Sequence, residues 1–201
     1  GWMLALLMLT FIATYRMTDY TMGVMANTFY IDLHYSLKQI AAVAKLYGTV
    51  LSLVGVVVGG MAVTRLGRVR SLFLGSALII LSSTCYGLLA AHGQPSVVGL
   101  ATIISIDNFA IGVHGTALIA FMSTLTSARY TATQYAVLSS IYALPGKLLM
   151  SKSGDIVNAI GYPHFYLYTA VLSLPALLVL IGMTRRRDFN QLVGQWAAKS
   201  T

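Results

Sequence analysis

The chain has 201 residues, of which 57% are hydrophobic and only 9% are charged, and its formal net charge is +8. Soluble domains carry about 25% charged residues, so this composition excludes an ordinary soluble domain and predicts an all-α integral membrane protein. The positive charge does not indicate a nucleic-acid partner, because most basic residues lie in short loops and in the tail.

Six apolar segments are long enough to span a bilayer, which takes about 20 residues in a helix. They cover residues 1–30, 37–63, 71–91, 97–124, 131–156 and 165–183. The connections between them are short, and Gly and Pro mark turns at residues 93–95 and 161–163. Short connections favour antiparallel neighbours, so the sequence predicts a bundle of six transmembrane helices over residues 1–184.

The first segment carries two opposite charges, Arg16 and Asp19, near its middle. A charged side chain at the bilayer centre costs about 2.5–3.5 kcal/mol on insertion scales, so by default it indicates a functional site. At a spacing of three residues the two charges face each other on a helix and offset part of this cost. Tyr15 and Tyr20 flank them and are candidate hydrogen-bonding partners of a polar substrate. A purely structural ion pair is the alternative interpretation.

The second segment combines small residues with two lysines. Gly55 and Gly59 form a GxxxG pattern, which favours close helix packing rather than chemistry. Lys38 lies near the interface and can snorkel, whereas Lys45 lies two turns deeper on the same face. Lys45 is therefore a candidate contact for an anionic group, although a longer snorkel to the interface explains it equally well.

The basic residues of the loops predict the orientation of the chain. The second loop, the fourth loop and the start of the tail contain Arg65, Arg68, Arg70, Arg129, Arg185, Arg186 and Arg187. The first and third loops hold no Lys or Arg. The positive-inside rule therefore predicts that both ends of the chain are cytoplasmic. Lys147 and Lys152 blur the pattern, because they lie near the fifth loop.

The fourth segment carries Asp107 and His114, which share a helix face at a spacing of seven residues. A carboxyl and an imidazole at this depth are able to carry protons. A histidine packed against a backbone group is the more common situation, so Asp107 is the stronger candidate. Its own segment has no Lys or Arg, which leaves Arg16, Lys45 or Lys147 as candidate partners.

The fifth segment contains Gln134, a candidate polar contact, and Pro145 followed by Gly146. Proline removes a backbone hydrogen bond, so a kink is expected there. Bent helices expose backbone groups at transporter sites, but a static kink is an equally good interpretation.

Residues 185–201 are predicted to form a basic tail, either as an amphipathic surface helix or as a solvated end. The sequence contains no metal-ligand cluster, P-loop, catalytic triad or dinucleotide fingerprint. Neither enzymatic activity nor a cofactor is therefore predicted.

Several motifs resemble those of known transporters. The loop motif consists of Gly60, Arg65, Gly67, Arg68 and Arg70. It resembles the cytoplasmic loop signature of the major facilitator superfamily, with Thr64 in place of the Asp of that family. Residues 15–19, 45–48, 107–108, 131–140 and 165–168 are similar to the C-terminal half of AmpG-like permeases and related acetyl-coenzyme A transporters. That family tends to have Lys at position 16 and Glu at position 107, so both charges are kept.

The resemblance implies a fold of twelve helices in two halves, of which this chain supplies the second. The N-terminal six-helix half of the same transporter is then a partner, together with membrane lipid, protons and a small-molecule substrate. The start at Gly1, without an initiator Met, fits a chain whose upstream part is missing. A six-helix membrane subunit or scaffold without transport activity is the alternative.

The family further implies proton-coupled import of a cell-wall-derived sugar-peptide across a bacterial inner membrane by alternating access. Asp19 and Asp107 are the first candidates for proton carriage, while Arg16 and Lys45 are candidates for neutralising substrate carboxylates or pairing with those aspartates. The second-rank polar contacts are Gln134, Tyr15 and Tyr20. A coenzyme A conjugate and a siderophore are the competing cargoes.

Overall fold

A computed structural model describes residues 2–126 and 131–198, and nearly all of them are helical. The elements are α1 (Trp2–Tyr15), α2 (Met17–Asp32), α3 (Leu37–Gln39), a π-helix (Ile40–Tyr47), α4 (Gly48–Leu66), α5 (Arg68–His92), α6 (Val97–Leu125), α7 (Thr131–Met150), α8 (Ser153–Val171), α9 (Leu174–Thr184) and α10 (Arg187–Ala198). The described residues contain no strand, as the sequence predicts.

Among the described residues, four helical stretches are long and apolar enough to cross a membrane. They are Leu37–Leu66, Arg68–His92, Val97–Leu125 and Ser153–Thr184. The prediction of a helical membrane protein is confirmed at this level, while the count of six spans stays a prediction. The last stretch contains a reversal of the chain, which is described below.

The first predicted segment is two helices rather than one. α1 ends at Tyr15 and α2 begins at Met17, because Arg16 between them leaves the helical conformation with φ −101° and ψ 10°. The two helices have 14 and 16 residues, so each is too short to cross a bilayer alone. The interruption lies at the charged residue that the sequence singles out.

The fifth and sixth predicted segments have different boundaries in the structure. α7 continues through Pro145 to Met150, and α8 then includes the predicted turn around Gly161. Gly161 has φ 75°, a left-handed conformation that glycine adopts without steric cost. The turn at Gly161 lies where the sequence predicts it, whereas the helices on either side do not end at the predicted residues 156 and 165.

Contacts along α2 show that the chain reverses its direction at Gly161. Before it, the Ser153 hydroxyl donates a hydrogen bond to the Thr21 carbonyl at 3.2 Å. Directly after it, the Tyr162 hydroxyl reaches Asp32 at the far end of α2. Further on, the Thr169 carbonyl accepts a hydrogen bond from Thr18, back near the start of α2. The two arms thus run antiparallel beside α2.

Close backbone packing joins α4 to α6. A Cβ atom added to Gly55 would clash with the Phe109 carbonyl, and one added to Gly112 would clash with the Ser52 carbonyl. A Cβ on Gly59 would lie 3.0 Å from the Cα of Val113. The glycine pattern on the second segment is thereby confirmed as a packing feature.

Two apolar clusters fill opposite ends of the bundle, with buried polar side chains between them. One cluster gathers around α1, α9 and Phe189, and the other gathers around the end of α2 and the start of the arm after Gly161. The buried polar side chains include Thr18, Thr21, Ser82, Ser83, Asp107, His114, Ser153, Thr169 and Ser173. This set is called the polar layer below.

The described part of the tail is helical. Phe189 on α10 is fully buried in the cluster around α1, and Leu192 and Val193 pack against the same cluster. Of the two interpretations that the sequence leaves open, the structure has the helix over Arg187–Ala198, docked by its apolar residues.

The contact between α4 and α6 generates a stability prediction. We expect Gly112→Ala to lower the free energy of unfolding by about 1–3 kcal/mol, because the added methyl overpacks a backbone contact. Thermal unfolding of the purified protein in detergent measures the change. Gly115→Ala is the matched control on the same helix, because its Cβ meets no atom within 4 Å. Equal melting temperatures for the two variants would contradict the proposed packing.

Candidate functional site

The break between α1 and α2 holds the predicted ion pair. Nε of Arg16 donates a hydrogen bond to Oδ2 of Asp19 at 3.0 Å. The Asp19 side chain is only 5% exposed, whereas that of Arg16 is 24% exposed. Oδ1 of Asp19 is buried without a hydrogen-bond partner among the described residues. The pair therefore has a buried anionic end and a cationic end that is open to its surroundings.

Two aromatic rings flank the guanidinium of Arg16. Its central carbon lies 5.5 Å from the ring centroid of Tyr20 and 5.6 Å from that of Tyr142. Both distances are within the range of cation–π attraction. Tyr20 is a sequence candidate, whereas Tyr142 on α7 is not, because only the tertiary fold brings α7 beside α2.

The packing of Tyr20 depends on a glycine of α7. A Cβ atom on Gly146 would lie 2.6 Å from the Tyr20 ring, so the ring sits directly on the α7 backbone. Gly146, which the sequence associates with a kink, thus has a packing role beside Arg16.

His114 connects α6 to the helix break. Its Nε2 donates a hydrogen bond to the carbonyl of Tyr15 at 3.1 Å and lies 3.9 Å from Oδ2 of Asp19. We assign the proton to Nε2 because a carbonyl oxygen only accepts. The imidazole also stacks on the Tyr15 ring, with centroids 3.9 Å apart. His114 is therefore packed against a backbone group, as the sequence analysis favours, and it also lies beside the ion pair of Arg16 and Asp19.

Tyr15 faces the interior of the bundle. It is 2% exposed, and its hydroxyl donates a hydrogen bond to the Leu72 carbonyl on α5 at 3.0 Å. Its ring therefore positions His114 in this structure, while Tyr20 is the flanking tyrosine that lies beside the guanidinium.

Asp107 is a second buried carboxyl, 7% exposed, and its partners are hydroxyl groups. It accepts a hydrogen bond from Oγ of Ser82 at 2.8 Å and another from the Tyr86 hydroxyl at 3.5 Å. The candidate partners Arg16, Lys45 and Lys147 are wrong for this conformation. Within the described residues no basic side chain lies within 4.0 Å of the Asp107 carboxylate.

The remaining candidates lie apart from the ion pair. Lys45 is exposed on the π-helix, a kind of element that often occurs at functional sites. None of the ion pairs among the described residues includes Lys45. Gln134 lines an apolar groove between α1 and α7, beside Met8 and Leu9. Met8 and Leu9 lie about two helical turns before the break at Arg16. The structure thus does not gather all the predicted contacts at one point.

The loop motif forms the turn between α4 and α5. Gly67 has φ 85°, and its carbonyl accepts a hydrogen bond from the Ser71 hydroxyl at 2.9 Å. Arg65 and Arg70 are exposed, and Arg68 is half-buried. Gly60 borders open space, so close packing does not explain its presence. Arg129, the basic residue of the fourth loop, lies outside the described residues.

The charged and titratable side chains of the site come from Arg16, Asp19, His114 and Asp107. Within residues 2–126 and 131–198 there is no group of three or more His, Cys or acidic residues placed to hold a metal ion. The available groups are one ion pair with an accessible guanidinium, one imidazole and one carboxyl held by hydroxyls. Such groups bind anions and exchange protons.

Known proteins resemble most of this chain. It is 36% identical over 172 residues to "Putative transporter AmpG 4" of Rickettsia conorii, a match covering 86% of this chain and 41% of the relative. It is 33% identical over 176 residues to "Putative transporter AmpG 1" of Rickettsia felis, covering 88% and 40%. An uncharacterized protein of Haemophilus influenzae is 30% identical over 188 residues, covering 90% and 44%.

These relatives confirm the resemblance to AmpG-like transporters. No family model matches the chain. The chain spans about two fifths of the length of the curated relatives it matches.

The ion pair generates a second stability prediction. We expect Arg16→Gln to lower the free energy of unfolding by about 1–3 kcal/mol, because it leaves the buried Asp19 carboxylate without its cation. This range is below the full cost of a broken buried pair because Arg16 is partly exposed. The double variant Arg16→Gln with Asp19→Asn should be more stable than the single one. Chemical or thermal unfolding in detergent measures both.

Lys152→Gln is the matched control, since its pair with Asp155 has side chains 73% and 77% exposed. We expect no measurable change for it. A double variant as unstable as Arg16→Gln alone would argue that the loss comes from Arg16 packing and not from an unpaired carboxylate.

Proposed function

We propose, from the kinship of this chain with the AmpG transporters, that it is the C-terminal half of a secondary transporter of the major facilitator type. The observation that carries the proposal is an ion pair with an accessible guanidinium, set at the break of a helix inside an apolar bundle. Charges at membrane depth mark substrate or ion paths, and broken helices are typical of transporter sites. The match to about two fifths of each relative is compatible with one half of such a protein.

In the proposed arrangement, residues 1–184 form six spans and residues 185–201 form a basic cytoplasmic tail. α1 and α2 together form the first span, and α7 with the start of α8 forms the fifth. The sixth then runs from the reversal at Gly161 to the end of α9. This assignment leaves both ends of the chain on the cytoplasmic side of a bacterial inner membrane, as the basic loops predict. The N-terminal half of the same transporter completes the central cavity.

The proposed activity is import of a cell-wall-derived sugar-peptide together with protons. Peptide carboxylates suit the guanidinium of Arg16, whose Nε alone holds Asp19, so that its terminal nitrogens are directed elsewhere. The aromatic rings of Tyr20 and Tyr142 beside it offer apolar faces to a sugar. Lys45 stays a candidate for neutralising a substrate carboxylate, and Gln134 and Tyr15 stay candidate polar contacts of second rank.

The proposed proton carriers are Asp19 and Asp107. Both are buried carboxyls, one beside a cation and an imidazole and the other held by hydroxyls. The two carboxyls thus lie at separate places in the bundle, and we propose that both take part in proton transfer during the transport cycle.

Neutral variants of the two aspartates test the proposal. We expect Asp19→Asn and Asp107→Asn, each in the full-length protein, to reduce pH-driven uptake of a radiolabelled cell-wall disaccharide-peptide at least tenfold. Uptake into right-side-out membrane vesicles measures this. The matched control is Asp155→Asn, whose exposed side chain lies outside the site and should leave uptake unchanged.

Full uptake by both Asp variants would refute proton coupling through these groups. If the wild-type protein transports a coenzyme A conjugate or a siderophore instead, the sugar-peptide assignment is wrong. No uptake of any of the three would favour a membrane scaffold without transport activity.

A further inference from the structure

His114 lies between two acceptors, and the proposed function gives it no role. Its Nε2 is 3.1 Å from the Tyr15 carbonyl and 3.9 Å from Oδ2 of Asp19. The first contact is a hydrogen bond, whereas the second is about 1 Å too long for one. Asp19 is the only carboxylate within 4.0 Å of the imidazole among the described residues. One N–H therefore has two acceptors beside it and binds one of them in this structure.

Asp19 has few hydrogen-bond donors for a buried carboxylate. Its Oδ2 accepts from Nε of Arg16 at 3.0 Å, and its Oδ1 has no partner among the described residues. A carboxylate offers about four acceptor sites, and a buried one that loses its donor is costly in free energy. Release of Arg16 by Asp19 therefore requires a replacement donor.

Arg16 is the donor for which an anionic substrate would compete. Its side chain is 24% exposed, whereas that of Asp19 is 5% exposed, so an incoming anion reaches the guanidinium and not the carboxylate. A carboxylate bound to the guanidinium by two hydrogen bonds competes directly with Asp19 for it. Asp19 then stays buried beside the imidazole, the other group with which it forms an ion-pair contact among the described residues.

Packing holds the imidazole in place beside both acceptors. The ring stacks on the Tyr15 ring, with centroids 3.9 Å apart and planes inclined by 6°. Gly75 on α5 leaves space for His114, because a Cβ there would lie 2.8 Å from its Cα and 3.2 Å from its Nδ1. A shift of the Asp19 carboxylate by about 1 Å is then sufficient to bring Oδ2 within hydrogen-bond distance of Nε2.

The two acceptors belong to opposite sides of the helix break. The Tyr15 carbonyl is on the last residue of α1, where carbonyl groups lack an intrahelical donor. Asp19 is in the first turn of α2, where the helix dipole favours a negative charge. The acceptor that His114 binds therefore decides whether α6 supports the end of α1 or the start of α2.

We propose that His114 is the second partner of Asp19, and that an anion bound at Arg16 moves Asp19 from the guanidinium to the imidazole N–H. The inference rests on the part of the proposed function that gives Arg16 an anionic substrate. No proton is transferred, because the imidazole stays neutral with its proton on Nε2. Arg16 exchanges one carboxylate for another, and the Tyr15 carbonyl loses its donor. Anion binding thereby changes the support of the helix break.

A stability cycle without ligand tests whether His114 serves as a second partner of Asp19. Arg16→Gln removes the cation, and His114→Phe keeps a ring to stack on Tyr15 but has no N–H. We expect the double variant of the full-length protein to lose more melting temperature than the two single losses added together, because neither donor then remains. In an Asp19→Asn background this excess should disappear. Thermal unfolding in detergent measures each variant.

Ser153→Ala is the matched control for the stability cycle. Like His114→Phe, it removes a buried side-chain donor to a backbone carbonyl, here that of Thr21 at 3.2 Å. We expect its loss of melting temperature to add to that of Arg16→Gln without excess, because the Ser153 hydrogen bond goes to α2 backbone and not to Asp19.

Equilibrium binding of a radiolabelled cell-wall disaccharide-peptide to the full-length protein tests the exchange itself. We expect His114→Phe to raise the Kd at least tenfold, because the buried Asp19 carboxylate is left without a donor when the peptide takes Arg16. His114→Gln keeps a side-chain N–H and should stay within threefold of wild type. In the Asp19→Asn background, His114→Phe should leave the Kd unchanged, and Ser153→Ala should leave it unchanged in the wild type.

The outcomes separate the exchange from the proposed function. Additive losses for Arg16→Gln and His114→Phe refute the exchange, whatever the ligand. Wild-type affinity in His114→Phe also refutes it, as does a loss of affinity that persists with Asp19→Asn, since His114 then acts through packing alone. If the wild-type protein does not bind the peptide, the proposed substrate is wrong, and the stability cycle still decides whether Asp19 has His114 as its second partner. Excess destabilisation together with the selective loss of affinity supports the exchange.

Discussion

The structure depends on one constraint, which is that a bilayer core offers no water to a charged or polar group. Arg16 and Asp19 meet this requirement by forming an ion pair with each other at a helix break. Asp19 turns inward toward His114, and Arg16 turns outward between two tyrosine rings. His114 also caps the last carbonyl of α1, so the same contact that supports the break brings the imidazole to the ion pair.

The polar layer lies between the two apolar clusters of the bundle. Each cluster is packed by large apolar or aromatic side chains, while hydroxyls, the Asp107 carboxyl and the His114 imidazole lie between them. Apolar packing holds the ends of the bundle together. The polar side chains between the clusters are held by hydrogen bonds, such as those of Ser82 to Asp107 and of Ser153 to the Thr21 carbonyl.

Sequence reasoning located the charged residues but not all of their partners. The spacing of Arg16 and Asp19 predicted their pairing, which is local to one turn of helix. Asp107 was a correct choice as a buried carboxyl, yet its partners are Ser82 and Tyr86 on α5. They could not be identified because Ser and Tyr are ordinary residues in membrane helices, and only the packing of α5 against α6 distinguishes these two.

The sequence by itself determined the membrane class, the apolar segments, the glycine contact of α4 and the kinship with AmpG transporters. These follow from composition, periodicity and short motifs, which act locally along the chain. The tertiary structure decided the break at Arg16, the boundary between α7 and α8, the place of Tyr142 beside the guanidinium and the hydroxyl partners of Asp107. Each of these depends on which side chains meet across different helices, and that is set by the packing of the whole bundle.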